Sequence, residues 1–188
     1  MSRQVFEFRD PDRFVTGTVG MPGERTFFLQ ARKGNALTSV VAEKGQVSVL
    51  AERIDQLLDE VLETRDVDVQ IPPAGVDLIS DAAPLDAPIV EEFRVGAMAL
   101  GWDDASSHVV IEAHAINEDS EEIPELADDD DDGPDTLRVW VTAIQARSFA
   151  ERARAVVSAG RPPCPFCNQP LDAGGHVCPR ANGYRRRA

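Results

Sequence analysis

One order of elements is written twice into this chain. Phe6–Phe8, Phe14–Val19, Thr26–Ala31 and Leu37–Ala42 read as short strands, with turns at Met21-Pro22-Gly23-Glu24 and Lys33-Gly34-Asn35. Val47, Leu50, Ile54, Leu57, Leu58, Val61 and Leu62 then recur at three- and four-residue steps, which predicts an amphipathic helix over about 47–62. Residues 65–90 contain Pro72, Pro73, Pro84 and Pro88 and read as a connector, with room for a short strand at Val67–Ile71. Beyond it, Phe93–Leu100, His108–Ala113 and Leu137–Thr142 read as strands. A helix from about Ile144 to Ser158 follows, turning Ala146, Phe149, Ala150, Ala153, Val156 and Val157 inward.

Residues recur as well as patterns. Gln46 and Ala51-Glu52-Arg53 match Gln145 and Ala150-Glu151-Arg152 at a constant offset of 99. Phe27-Phe28-Leu29-Gln30-Ala31 matches Val109-Val110-Ile111-Glu112-Ala113 at an offset of 82. The expected fold is α+β: two β-β-β-α units with antiparallel sheet and helices on one face, burying together what neither covers alone. Chance similarity between two units of one type is the competing explanation. The halves span about 1–64 and 91–160, joined by the connector 65–90, in a body of residues 1–160. Residues 161–188 form a separate ribbon and basic tail.

The 17-residue difference between the two offsets falls where segment 117–135 lies, and that segment holds most of the charge. The 188 residues carry a formal net charge of −14. Segment 117–135 contains 11 acidic residues, among them Asp128 to Asp132, and no Lys or Arg; without it the remainder carries only −3. Such a like-charge block is expected to stay solvated and extended, as an insertion in a hairpin. It aids solubility, or docks a basic partner, or folds over the chain's own tail. Residues 161–188 carry five Arg against Asp172, a charge of +4.

All three cysteines fall in that tail. Cys164 and Cys167 form a Cys-x2-Cys pair, followed by His176 and Cys178. A pair so spaced turns two thiolates toward one ion, and the four residues make a complete Cys3His shell suited to tetrahedral zinc. Gly174-Gly175 permits the tight return of the second pair. Four protein ligands leave no open position, so the zinc is expected to be structural, and in a segment with little core it would supply much of the folding energy. Three free thiols in a disordered tail and a redox Cys-x-x-Cys are the alternatives. Tyr184 followed by Arg185, Arg186 and Arg187 offers a contact for a partner or for nucleic-acid phosphate.

Several function classes find no support. The start, Met1-Ser2-Arg3-Gln4-Val5-Phe6-Glu7, lacks the basic and apolar regions of a signal peptide, and no apolar run reaches membrane-spanning length. A cytoplasmic location without membrane contact is expected. Gly17, Gly20 and Gly23 do not have dinucleotide spacing, and there is no phosphate loop. His108 and His114 share a strand face by period two, but no nucleophile motif accompanies them.

The runs Ala159-Gly160-Arg161-Pro162-Pro163-Cys164-Pro165-Phe166-Cys167, Gly175-His176-Val177-Cys178-Pro179-Arg180 and Asn182-Gly183-Tyr184-Arg185-Arg186 resemble the C-terminus of an uncharacterised actinobacterial protein family. Phe6 to Gly20 and Gln145-Ala146-Arg147 are similar too, so the resemblance covers nearly the whole chain. It implies co-occurrence with a histidine-phosphatase-like protein and a lipid-kinase-like protein, and brings no catalytic residue with it.

The leading expectation is a zinc-stabilised binding or adaptor module with a protein partner. One alternative is an enzyme acting on a phosphorylated metabolite in a cleft between the halves, using Arg94, Arg138, His108 and His114. The other is a nucleic-acid binder working through the ribbon and its Arg-rich tail.

Overall fold

Aromatic and β-branched residues in alternation pair into strands, and the three-four stripes close into helices, largely where the periodicities place them. In a computed structural model, residues 3–21, 23–64, 70–75, 81–117, 126, 133–160, 164–167, 171, 178 and 180 are described. The strands are β1 (Val5–Arg9), β2 (Arg13–Val19), β3 (Thr26–Lys33) and β4 (Ala36–Ala42), then β5 (Glu91–Asp103), β6 (His108–Ala115) and β7 (Thr136–Val141). Helix α1 (Lys44–Thr64) follows β4, and α2 (Ala143–Ser158) follows β7. Gln70 and Ile71 are not in a strand, and the rest of the strand expected at Val67–Ile71 lies outside the described residues.

The fold is mixed α+β, with one seven-stranded sheet in the order β1-β7-β6-β5-β4-β3-β2. The sheet is not wholly antiparallel as expected. The pairs β2/β3, β3/β4, β5/β6 and β6/β7 are antiparallel, whereas β4/β5 and β1/β7 are parallel. The first parallel pair follows from the connection. Helix α1 and the connector return the chain to the end from which β4 started, the kind of long crossover that parallel neighbours require.

Strands β1 and β2 occupy opposite edges of the sheet yet are separated by only Asp10, Pro11 and Asp12. Four Cα steps of about 3.8 Å span at most about 15 Å, so the sheet curls until its edges approach. Lys33 Nζ, at the end of β3, donates to the carbonyl of Arg9 at the end of β1, across that gap.

Both helices pack on each other and against one sheet face, with Leu29, Val40, Val109, Ile111 and Val139 beneath them. Ala146, Ala150 and Ala153 are fully buried on α2, and their small side chains let it approach closely. Phe149 stacks on Phe14 of β2 with ring centroids 4.7 Å apart. Arg147, which the apolar stripe does not announce, is buried between the helices. Its Nε donates to the Pro72 carbonyl at 2.9 Å, and its guanidinium pairs with Asp55 and Asp59 of α1.

The two glutamines matched at an offset of 99 do the same work. Gln46 Oε1 accepts from the Glu43 N–H at 2.8 Å, and its Nε2 donates to the Val95 carbonyl at 3.0 Å. Gln145 Oε1 accepts from the Thr142 N–H at 2.9 Å, and its Nε2 donates to the Pro11 carbonyl at 3.1 Å. Each closes the first turn of its helix, where backbone N–H groups otherwise lack partners.

The opposite sheet face is also buried, and there polar side chains sit among Phe28, Val41, Val110 and Trp140. Gln30 donates to Ser39 Oγ at 2.9 Å across β3/β4, and Arg138 pairs with Glu112 across β6/β7. Leu85 lies over Gly17, where a Cβ would stand 2.7 Å from its Cγ, and a Cβ at Gly101 would overlap Leu126. Leu126 belongs to the acidic segment, of which residues 118–125 and 127–132 lie outside the described residues. Its far end is held as well: Arg3 Nε donates to the Pro134 carbonyl at 3.0 Å, and the Gln4 N–H to Asp135 Oδ1 at 2.7 Å.

The connector is clamped by two arginines. Arg13 donates to Asp86 at 3.0 Å and to Asp81, while Arg152 donates to the Thr16 carbonyl at 2.6 Å and the Ala83 carbonyl at 2.8 Å. The hydrogen bond from Arg13 holds the Asp81 carboxyl below its ordinary pKa of 3.8, against an opposing effect of burial. A depressed carboxylate contributes stability above its unfolded pKa and loses it as pH falls through the lower folded value. The stabilisation from Asp81 is therefore complete above about pH 4 and lost in stronger acid. Asp81→Asn should speed amide exchange at residues 81–86 at pH 7 and flatten its acid dependence. An unchanged exchange profile would refute the clamp.

Candidate metal centre

Cys164-Pro165-Phe166-Cys167 forms a turn that brings two thiols to one side. Cys178 comes back to them, and one sulfur from each of Cys164, Cys167 and Cys178 lies within 4.8 Å of the others. Cys164 and Cys178 are buried, and Cys167 is half-buried. The Sγ atoms of Cys164 and Cys178 are 3.8 Å apart. A disulfide would need about 2.05 Å. Zinc–sulfur bonds of about 2.3 Å in a tetrahedron place neighbouring sulfurs about 3.8 Å apart. The three cysteines can hold a metal ion.

The electrostatics favour the ligating form. The Cys167 backbone N–H bonds to the Cys164 sulfur and holds that thiol below its ordinary pKa of 9.0, against the opposing effect of burial. The Phe166 N–H and the thiols of Cys167 and Cys178 add to the lowering. A lowered thiol pKa extends the thiolate, and hence metal binding, to lower pH. Phe166, at the tip of the turn, is 62% exposed, and Arg180 Nη1 donates to its carbonyl at 3.4 Å. His176, the expected fourth ligand, and Tyr184, Arg185, Arg186 and Arg187 lie outside the described residues.

The residues considered for an enzymatic cleft are only partly brought together. His114 and Arg138 meet at Glu112, whose Oε1 accepts from Arg138 Nε and whose Oε2 lies 3.4 Å from His114 Nε2. His114 Nδ1 is 3.0 Å from Thr136 Oγ1. His108 sits at the other end of β6, six residues or about 20 Å away, with its Nε2 2.7 Å from Asp10 Oδ1. Arg94 is exposed and pairs with Glu91 at 3.1 Å. Cavities of about 150, 230 and 320 Å³ among the described residues have none of these four in their walls.

Sequence reading missed Glu112 as the centre of this cluster, and missed Arg147 and Arg152 as buried side chains. A charge at an inward position of an otherwise apolar strand or helix face was the available signal.

A family model described as "Protein of unknown function (DUF3090)" matches residues 6–178, a span that takes in the body and all three cysteines. No curated protein and no solved structure matches the chain.

Proposed function

The chain belongs to the DUF3090 family of proteins of unknown function, and from that premise we propose that it acts as a zinc-stabilised binding module with a protein partner. The observation that carries this reading is the convergence of three thiols, two of them buried, with one sulfur–sulfur separation of 3.8 Å. A thiolate-rich set of this size suits zinc. His176, two residues before Cys178, is the fourth ligand in this proposal. Four protein ligands would leave no open coordination position, so the ion stabilises and does not catalyse. The exposed Phe166, the tail from Tyr184 to Arg187 and the acidic segment 117–135 supply the contact surfaces, the last two of opposite charge.

Elemental analysis of the purified full chain tests the metal. About one zinc per chain is expected, falling to background in Cys167→Ser, with a lower melting temperature. Wild-type protein that carries no zinc as purified, and whose melting curve Cys167→Ser leaves unchanged, would end the proposal. Retention on RNA at low salt, lost as salt rises, would assign the ribbon to nucleic acid instead.

We infer further that the body is a duplicated β-β-β-α unit. Three correspondences support this: Gln46 with Gln145 at the helix starts, the cross-strand pairs Gln30–Ser39 with Glu112–Arg138, and Gly17 under Leu85 with Gly101 under Leu126.

A further inference from the structure

Every Lys and Arg among the described residues donates a hydrogen bond or enters an ion pair, with two exceptions. The exceptions are Arg25 and Lys44, and both line the same cavity of about 230 Å³. Its other described walls are Gly23, Phe27, Val157 and Gly160, none of them acidic. The cavity lies where the β2–β3 turn, the start of α1 and the end of α2 meet, just before the chain leaves for the cysteine cluster.

Two cations that share a concavity repel one another. In a chain of net charge −14, carboxylates are in surplus and ordinarily pair with stray cations. Among the described residues, no carboxylate forms an ion pair with either cation. Gly23 has φ +105, a left-handed conformation that suits glycine and puts no side chain into the cavity. A Cβ at Gly160 would lie 3.4 Å from Lys44 Nζ, an ordinary contact distance, which places the ammonium beside the end of α2.

We propose that Arg25 and Lys44 form an anion site that takes a phosphate group, as the free ion or as a small phosphomonoester. The guanidinium fork of Arg25 matches two phosphate oxygens, and Lys44 adds a compact positive charge. A volume of about 230 Å³ falls below the roughly 300 Å³ at which pockets for drug-sized ligands begin, and suits a phosphate or small monoester better than a whole nucleotide. Phe27 and Val157 give an organic monoester an apolar wall. The site is independent of the metal reading, because every described residue in it precedes the cysteine cluster.

The test is titration of the full chain with inorganic phosphate and with phenyl phosphate, against sodium chloride at matched ionic strength, followed by amide chemical shifts and melting temperature. Saturable shifts around Gly23 and Lys44 are expected with phosphate and not with chloride. Arg25→Gln and Lys44→Gln should each weaken binding about 10-fold or more. Binding of both probes assigns the site to monoesters, and binding of inorganic phosphate alone assigns it to the free ion. No response beyond chloride, or equal binding by the Arg25→Gln/Lys44→Gln double variant, would overturn the proposal. So would a Lys44→Gln variant that melts earlier without phosphate and shows no phosphate effect, since Lys44 would then serve only the carbonyl end of α2. Arg25→Lys keeps the charge without the fork and should bind more weakly than wild type, which covers the case of a double variant that does not fold.

Discussion

Glu112→Leu should destabilise the protein by about 3–5 kcal/mol in urea unfolding at neutral pH, the usual cost of breaking a buried ion pair from one side. Glu112 is fully buried on β6 and accepts from Arg138 Nε on β7, with His114 Nε2 3.4 Å from its other oxygen. Leucine fills much of the space but leaves the buried Arg138 charge without that carboxylate. Replacing both partners, as in Glu112→Leu/Arg138→Met, removes two desolvated charges at once and should recover most of the loss. A cost below about 1 kcal/mol for Glu112→Leu alone would mean that the pair is open to water.

Phe149→Ala should cost a similar amount, about 3–5 kcal/mol. The mechanism is different. Phe149 is 1% exposed, stacks on Phe14 at 4.7 Å and is the largest apolar side chain that α2 buries. Its neighbours on that face, Ala146, Ala150 and Ala153, are too small to close over the cavity that alanine would leave. Phe149→Leu retains most of the apolar volume and should lose less than half as much. Equal losses for leucine and alanine would show that the ring stacking, and not the filled volume, holds α2 to β2. Against a typical total stability of about 5–15 kcal/mol, either change to the core is severe.

The sequence exposed the elements because their signals are local. The short apolar run Phe27 to Ala31 between two turns and the three-four stripe from Val47 to Leu62 are local to each segment, and both elements form where expected. The glutamine correspondence at offset 99 was legible for the same reason, since each closes a turn three residues away. The cysteine spacing Cys164-x2-Cys167 likewise announced two converging thiols. Cys178 was a longer reach, and the structure brings its sulfur to the pair. In the acidic segment, residues 118–125 and 127–132 lie outside the described residues, and Leu126 covers Gly101.

What the residues determined by themselves is the list of strands and helices, the α+β class, and the thiol pattern that can hold an ion. Tertiary structure alone decided that β1 leaves β2 to pair in parallel with β7, that the sheet curls, and that Glu112 meets Arg138 and His114. It also decided that Arg25 and Lys44 face one cavity. These are contacts between residues far apart in the chain. Burial and charge at one position depend on what folds against it, and no periodicity within a segment carries that information.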